Sequence, residues 1–141
     1  MKKIFLITTL ILCKIFSITA QEESTTFDLT VVINGIENDK GKIYLAIYDS
    51  EETFLTEVEG IVAAIKDRKS VGIFKGVRKG VYAISLFHDE NDNKKMDTKI
   101  FGIPKEPYGF SNNVKLFMGP PKFKDVKFSL ESDKTISIRV K

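Results

Sequence analysis

The chain has 141 residues, 43% hydrophobic and 29% charged. That is the make-up of one globular domain and excludes a disordered or collagen-like chain. Of its 22 basic residues three (Lys2, Lys3 and Lys14) lie in the first twenty positions, which hold no acid, leaving 19 basic against 19 acidic residues beyond them. No overall basic character remains to hold a phosphate backbone, so nucleic acid is not expected as a partner.

Residues 1–20 read as a secretory signal peptide: Lys2 and Lys3 form a basic start, Ile4 to Leu12 an apolar run, and Ala20 a small residue before a cut. Lys14 interrupts the apolar stretch and argues against a permanent membrane span. Cys13 is the single cysteine. It follows Leu12 rather than a small residue, lies inside the apolar segment, and would leave with it. A processed chain would then carry neither disulfides nor cysteine-ligated metal. Export to the periplasm or outside the cell is expected, without stable membrane insertion after cleavage. Gln21 to Thr26 is a polar leader, and residues 27–141 form the single domain.

From Phe27 onward apolar and polar residues alternate with the period of half-buried strands. Phe27, Leu29, Val31 and Ile33 share one face. After the turn signal Asn38-Asp39-Lys40-Gly41, the segment Lys42 to Tyr48 places Ile43, Leu45 and Ile47 together. Ser50 to Leu55 can form a helical turn capped by Ser50. Gly60 to Lys66 and Ser70 to Phe74 are shorter strands about the charged turn Asp67-Arg68-Lys69. Gly76 and Gly80 bracket the next turn. Val81 to His88 is apolar on both faces, as a central strand would be. Val126, Phe128 and Leu130, then Ile136, Ile138 and Val140, complete the pattern around Ser132-Asp133-Lys134. Seven strands with short turns predict an all-β fold, an antiparallel β-sandwich of immunoglobulin-like or transthyretin-like form, and a monomer.

The pattern breaks over Asp89 to Pro121, a loop after the central strand with only a short strand proposed at Val114 to Phe117. Loops this long inside a compact domain commonly carry function. This one holds Phe101, Tyr108, Phe110 and Phe117 with four prolines; they either pack it onto the sandwich or form a recognition surface. His88, Tyr108, Phe110, Asn112 and Asn113 are the candidate surface residues.

The loop opens with Asp89, Asn91, Asn93 and Asp97 at alternate positions, with the Lys95 carbonyl between the last two. These match ligand positions 1, 3, 5, 7 and 9 of an EF-hand calcium loop. Position 6 is Lys94 instead of glycine, and position 12 is Ile100 instead of glutamate; the substitutes on offer are Glu106 or a carbonyl from the long loop. Two readings stand: a weak calcium site on a loop dispensable for folding, or a solvated Asx-rich turn. No other cofactor is indicated. His88 is the only histidine; it is either structural, or the centre of an enzyme acting with Asp89 or Asp97. No nucleophile elbow, zinc motif or P-loop is present.

The segments Gly76-Val77-Arg78-Lys79-Gly80-Val81-Tyr82-Ala83-Ile84, Phe87-His88-Asp89-Glu90-Asn91, and Phe101-Gly102-Ile103-Pro104-Lys105-Glu106-Pro107-Tyr108-Gly109-Phe110-Ser111-Asn112-Asn113 resemble the bacterial family called domain of unknown function 2141. Tyr44-Leu45-Ala46-Ile47-Tyr48 and Gly119-Pro120-Pro121-Lys122-Phe123 fit as well. The resemblance implies a small exported β-sandwich with no established activity. Members commonly carry glycine where this chain has Asp92 or Lys94. The Gly76 to Tyr82 segment also looks like the turn-to-strand entry of transthyretin-like carbohydrate-binding domains. A non-enzymatic binding module for an envelope or extracellular ligand, working through residues 89–121, is the leading expectation; an enzyme using His88 or a structural cell-envelope protein are the alternatives. If the signal reading is right, mass spectrometry of the native protein finds Gln21 at the N-terminus; an intact Met1 in the membrane fraction contradicts it.

Overall fold

The computed structural model describes residues 25–56 and 60–141. The signal segment, Cys13 and most of the polar leader lie outside them. The described chain forms eight strands: β1 (Thr26–Asn34), β2 (Lys42–Tyr48), β3 (Gly60–Lys66), β4 (Lys69–Arg78), β5 (Gly80–Asp89), β6 (Tyr108–Phe110), β7 (Phe128–Leu130) and β8 (Lys134–Arg139). One short helix, α1 (Phe123–Val126), precedes β7.

Period-two alternation sets the inner face as the sequence predicts. Leu29, Val31 and Ile33 of β1, Ile43 and Leu45 of β2, Ile84 and Leu86 of β5, Leu130 of β7 and Ile138 of β8 form the buried core, with Phe27, Ile47 and Phe128 packed against it. Each such side chain, removed from water, contributes about 1.5–3 kcal/mol.

The architecture departs from a sandwich. The strands run in one continuous order, β6-β5-β2-β3-β4-β1-β8, with β7 beside the first half of β5. β3 makes the continuity possible. Residues 60–64 pair with β2, and then Ile65 and Lys66 turn over to pair with Ser70 and Lys69 of β4. The sheet nearly closes into a barrel: Tyr108 at the start of β6 and Lys141 just beyond β8 exchange both backbone hydrogen bonds, at 3.2 and 3.1 Å. The sheet is mixed, because β8 lies parallel to β1, Leu29 opposite Lys134 and Ile33 opposite Ile138. The expected seven-stranded antiparallel sandwich is thus replaced by an eight-stranded, mixed, nearly closed sheet. The added strand is β6, inside the stretch expected to be loop, whereas Val114 to Phe117 is irregular.

Two glycines have specific duties. Gly76, expected in a turn, lies within β4 at φ 64°, where the β1–β4 register shifts between Phe27 and Leu29; its N–H donates to the Asp28 carboxylate at 3.1 Å. That is a glycine bulge. Gly109 sits where β6 meets β8: a Cβ there would lie 2.8 Å from Ile138 Cγ2 and 2.9 Å from the Arg139 carbonyl oxygen. Gly109→Val therefore wedges the barrel seam open. We expect a loss of about 1–3 kcal/mol in denaturant unfolding; an unchanged midpoint would show that the seam is not closed in solution.

Candidate functional site

The turn after β5 builds itself around two buried carboxylates. Asp89, the last residue of β5, has no solvent exposure. It accepts the N–H of Asn93 at 3.2 Å and of Lys94 at 2.7 Å. The sharp turn that favours glycine at position 6 is made by Lys94 itself, at φ 65°. Asn91 Oδ1 accepts the Asn93 N–H at 3.1 Å and Asn93 Oδ1 the Lys95 N–H at 2.9 Å; these are Asx turns. The two amides donate into the Asp97 carboxylate, Asn91 at 2.7 Å and Asn93 at 3.0 Å. The second carboxylate is Glu106, buried at 6% exposure. Its two oxygens accept the N–H groups of Glu90, at 3.2 Å, and Asp97, at 3.0 Å.

The structure thus brings Asp89, Asn91, Asn93 and Asp97 together and adds Glu106. Among the described residues no three His, Cys, Asp or Glu side chains are grouped to hold a metal by themselves. A calcium ion would depend on the asparagine oxygens. To reach them it would displace the amide donors on Asp97 and turn inward oxygens that now hold the Asx turns. The donor chemistry is of the type calcium takes, and the turns such an ion would disturb would oppose its binding.

Residues 97–106 form a hairpin on this base. The Lys105 N–H donates to the Asp97 carbonyl at 2.8 Å and the Lys99 N–H to the Ile103 carbonyl at 2.7 Å. At its tip, Phe101 holds a left-handed φ of 65° and is 96% exposed. Met118, on the loop after β6, repeats this at φ 54° and 92% exposure. Bulky side chains in this backbone region are uncommon.

The two loops flank a cleft of about 1170 Å³ on the outer face of the sheet, lined by Phe101, Ile103 and Pro104 on one side and Leu116 and Met118 on the other. Strand registers explain its floor. Tyr44 of β2 lies opposite Val62 of β3 and Phe87 of β5, and Phe87 opposite Tyr108 of β6. The Tyr44 and Phe87 rings stack at 5.3 Å. The next row outward is small in its middle, with Gly60 opposite Ala46, Ala46 opposite Ser85, and Phe110 closing it. The hollow is the space these small side chains leave. Its far end is shut by Tyr48, which packs edge-on against Phe54. Phe54 in turn meets Phe110 and Phe123. The Tyr48 hydroxyl bonds the Ser85 hydroxyl at 2.9 Å. Burial raises the Tyr48 pKa, partly opposed by that bond, so the phenol presents a neutral polar point on an aromatic floor.

Not every predicted surface residue belongs to this site. Tyr108 and Phe110 do. His88 does not: it has no solvent exposure and its Nε2–H donates to the Lys40 carbonyl at 2.6 Å. Asp89 and Asp97 spend their oxygens on Asn93, Lys94 and the two asparagine amides, so neither is hydrogen-bonded to the imidazole. Asn112 and Asn113 brace other elements. Asn112 donates to the carbonyls of Asp125, at 3.3 Å, and Lys127, at 3.0 Å. Asn113 donates to the Ser137 carbonyl at 2.8 Å and accepts from the Arg139 N–H at 2.7 Å. The floor residues Tyr44, Ala46, Ser85 and Phe87 escaped the sequence reading, although the aromatic positions on the second face of β2 and β5 signalled them.

These features define a small all-β protein whose elaborated loops stand over one outer sheet face. The chain belongs to the family described as "Uncharacterized protein conserved in bacteria (DUF2141)", which matches residues 31–138. No curated protein and no solved structure matches it.

The burial of Asp89 also corrects the expectation that it sits on a dispensable loop. Asp89→Ala leaves the Lys94 N–H without its acceptor and the Asn93 N–H with only Asn91 Oδ1, and we expect a loss of about 1–3 kcal/mol in chemical denaturation, even with calcium absent. A midpoint equal to wild type would contradict the structural role.

Proposed function

We propose that this chain is an exported, non-enzymatic binding module that takes an apolar or amphipathic ligand in the cleft between the 97–106 hairpin and the loop of residues 114–120. The observation that carries the reading is the floor: aromatic rings at both ends and the small residues Gly60, Ala46 and Ser85 between them. Binding sites take this form, concave and apolar with few polar groups to fix orientation. Here the Tyr48–Ser85 hydroxyl pair supplies that polar point. Export rests on the N-terminal segment. The enzyme alternative has less support, since His88 is sealed in the core and is hydrogen-bonded to a backbone carbonyl.

The test is titration with an environment-sensitive apolar dye such as N-phenylnaphthylamine. Saturable binding of one dye per chain is expected. Ala46→Phe, which fills the hollow from the solvent side, should weaken it at least about tenfold, a change of 1.4 kcal/mol, with little effect on thermal stability. Equal affinity in the variant would refute the cleft as the site.

A second reading adds a weak calcium ion at Asp89, Asn91, Asn93, the Lys95 carbonyl and Asp97. It is favoured by the convergence of these side chains. With a dissociation constant near 10⁻⁴ M, 10 mM calcium would stabilise the fold by about 2.7 kcal/mol, several degrees of melting temperature. Magnesium would do much less. Coincident melting curves in calcium and in chelator would reduce the segment to an Asx-rich turn.

A further inference from the structure

We propose that the tips of the two loops beside the cleft dock this protein onto the surface of an anionic phospholipid membrane. Ile100, Phe101 and Ile103 on one loop and Phe117 and Met118 on the other are exposed at 78, 96, 57, 88 and 92%. Soluble monomers leave single apolar side chains in water, but five at the ends of two neighbouring loops form an interaction surface. The loops are neighbours because Phe101 and Ile103 line the same cleft as Met118.

Charge selects the partner. The balance of charge over residues 21–141 hides a local excess. Residues 94–122 contain six lysines, at 94, 95, 99, 105, 115 and 122, and two acids, Asp97 and Glu106. Both acids are spent inside the structure. Asp97 accepts the two asparagine amides, and Glu106 accepts two backbone N–H groups. All six lysines are exposed, and none forms a salt bridge with another described residue. Lys99 directly precedes Ile100, and Lys115 lies two residues before Phe117. Apolar tips set among unneutralised lysines match a bilayer boundary: the side chains enter the acyl region and the ammonium groups meet anionic headgroups. Each lysine near such a surface contributes about 1 kcal/mol, or about fivefold in partitioning. Neither signal suffices alone; the combination gives reversible anchoring. A second copy of this chain suits the surface less, since it would press lysines against lysines.

This docking does not require a ligand in the cleft, because Ile100 and Phe117 lie outside its lining. The chain has no tryptophan, so Ile100→Trp and Phe117→Trp, made singly in the full chain, report on the tips alone. Each should shift its emission to the blue with phosphatidylglycerol vesicles, and be quenched by brominated acyl chains, and stay unshifted with phosphatidylcholine vesicles. Lys99→Gln or Lys115→Gln added to either reporter should lower partitioning about fivefold. Val71→Trp, exposed on β4, should not respond. Unshifted tips with anionic vesicles overturn the proposal, as does an equal shift with neutral ones. A shift that grows with protein concentration in the absence of lipid also overturns it, by showing that a second copy covers the tips.

Discussion

A single buried carboxylate ties the hairpin beside the cleft to the frame of this protein. Glu106 leaves almost no surface to water and uses one oxygen for the N–H of Glu90 and the other for the N–H of Asp97. Those two residues begin and end the turn that follows β5. Asp97 is also the first residue of the hairpin that Glu106 closes. One side chain thus fixes the turn, the base of the hairpin and the direction in which its apolar tip projects. Hydrogen bonds from backbone N–H to a carboxylate are among the stronger ones, and a carboxylate buried without them would be costly.

The frame beneath is asymmetric for a simple reason. One face of every long strand is committed to the core, so anything functional must be built on the other. On β2 and β5 that second face carries Tyr44, Phe87, Ala46 and Ser85 rather than the charged residues a solvated face would use. On β4 the second face carries Val71 and Ile73, about half exposed, with no comparable loops above them. A hollow forms where small side chains meet in register and loops of sufficient length arch over. Gly41 helps position the site from below: at φ 63° it passes so close to the Asp89 carbonyl that no side chain would fit.

Much of this was legible in the sequence. Alternation in residues 27–33 and 42–48, and a run apolar on both faces over residues 81–88, located three strands, because such patterns are local properties. The Asp89 to Asp97 spacing located the turn, and the length of the unpatterned stretch set residues 89–121 apart from the regular strands. What was not legible is partnership. Nothing in Lys134 to Arg139 announces that it lies parallel to β1, or that Lys141 meets Tyr108 to close the sheet. Strand β6 escaped because it is three residues long with a glycine at its centre and a proline before it. The role of His88 depended on Lys40, 48 residues away in sequence. Asn112 and Asn113 looked like a polar surface because an amide that braces a distant carbonyl reads the same as one that binds a ligand.

Amide hydrogen exchange on Glu106→Ala tests the dependence on that carboxylate most directly. The expected result is faster exchange at Glu90, Asp97, Lys99 and Lys105, with protection kept at Val31 and Ile33 in β1 and at Ile43 in β2. Local opening of this kind is separate from global unfolding. Unchanged exchange over residues 90–106, or an equal loss of protection throughout the sheet, would contradict it.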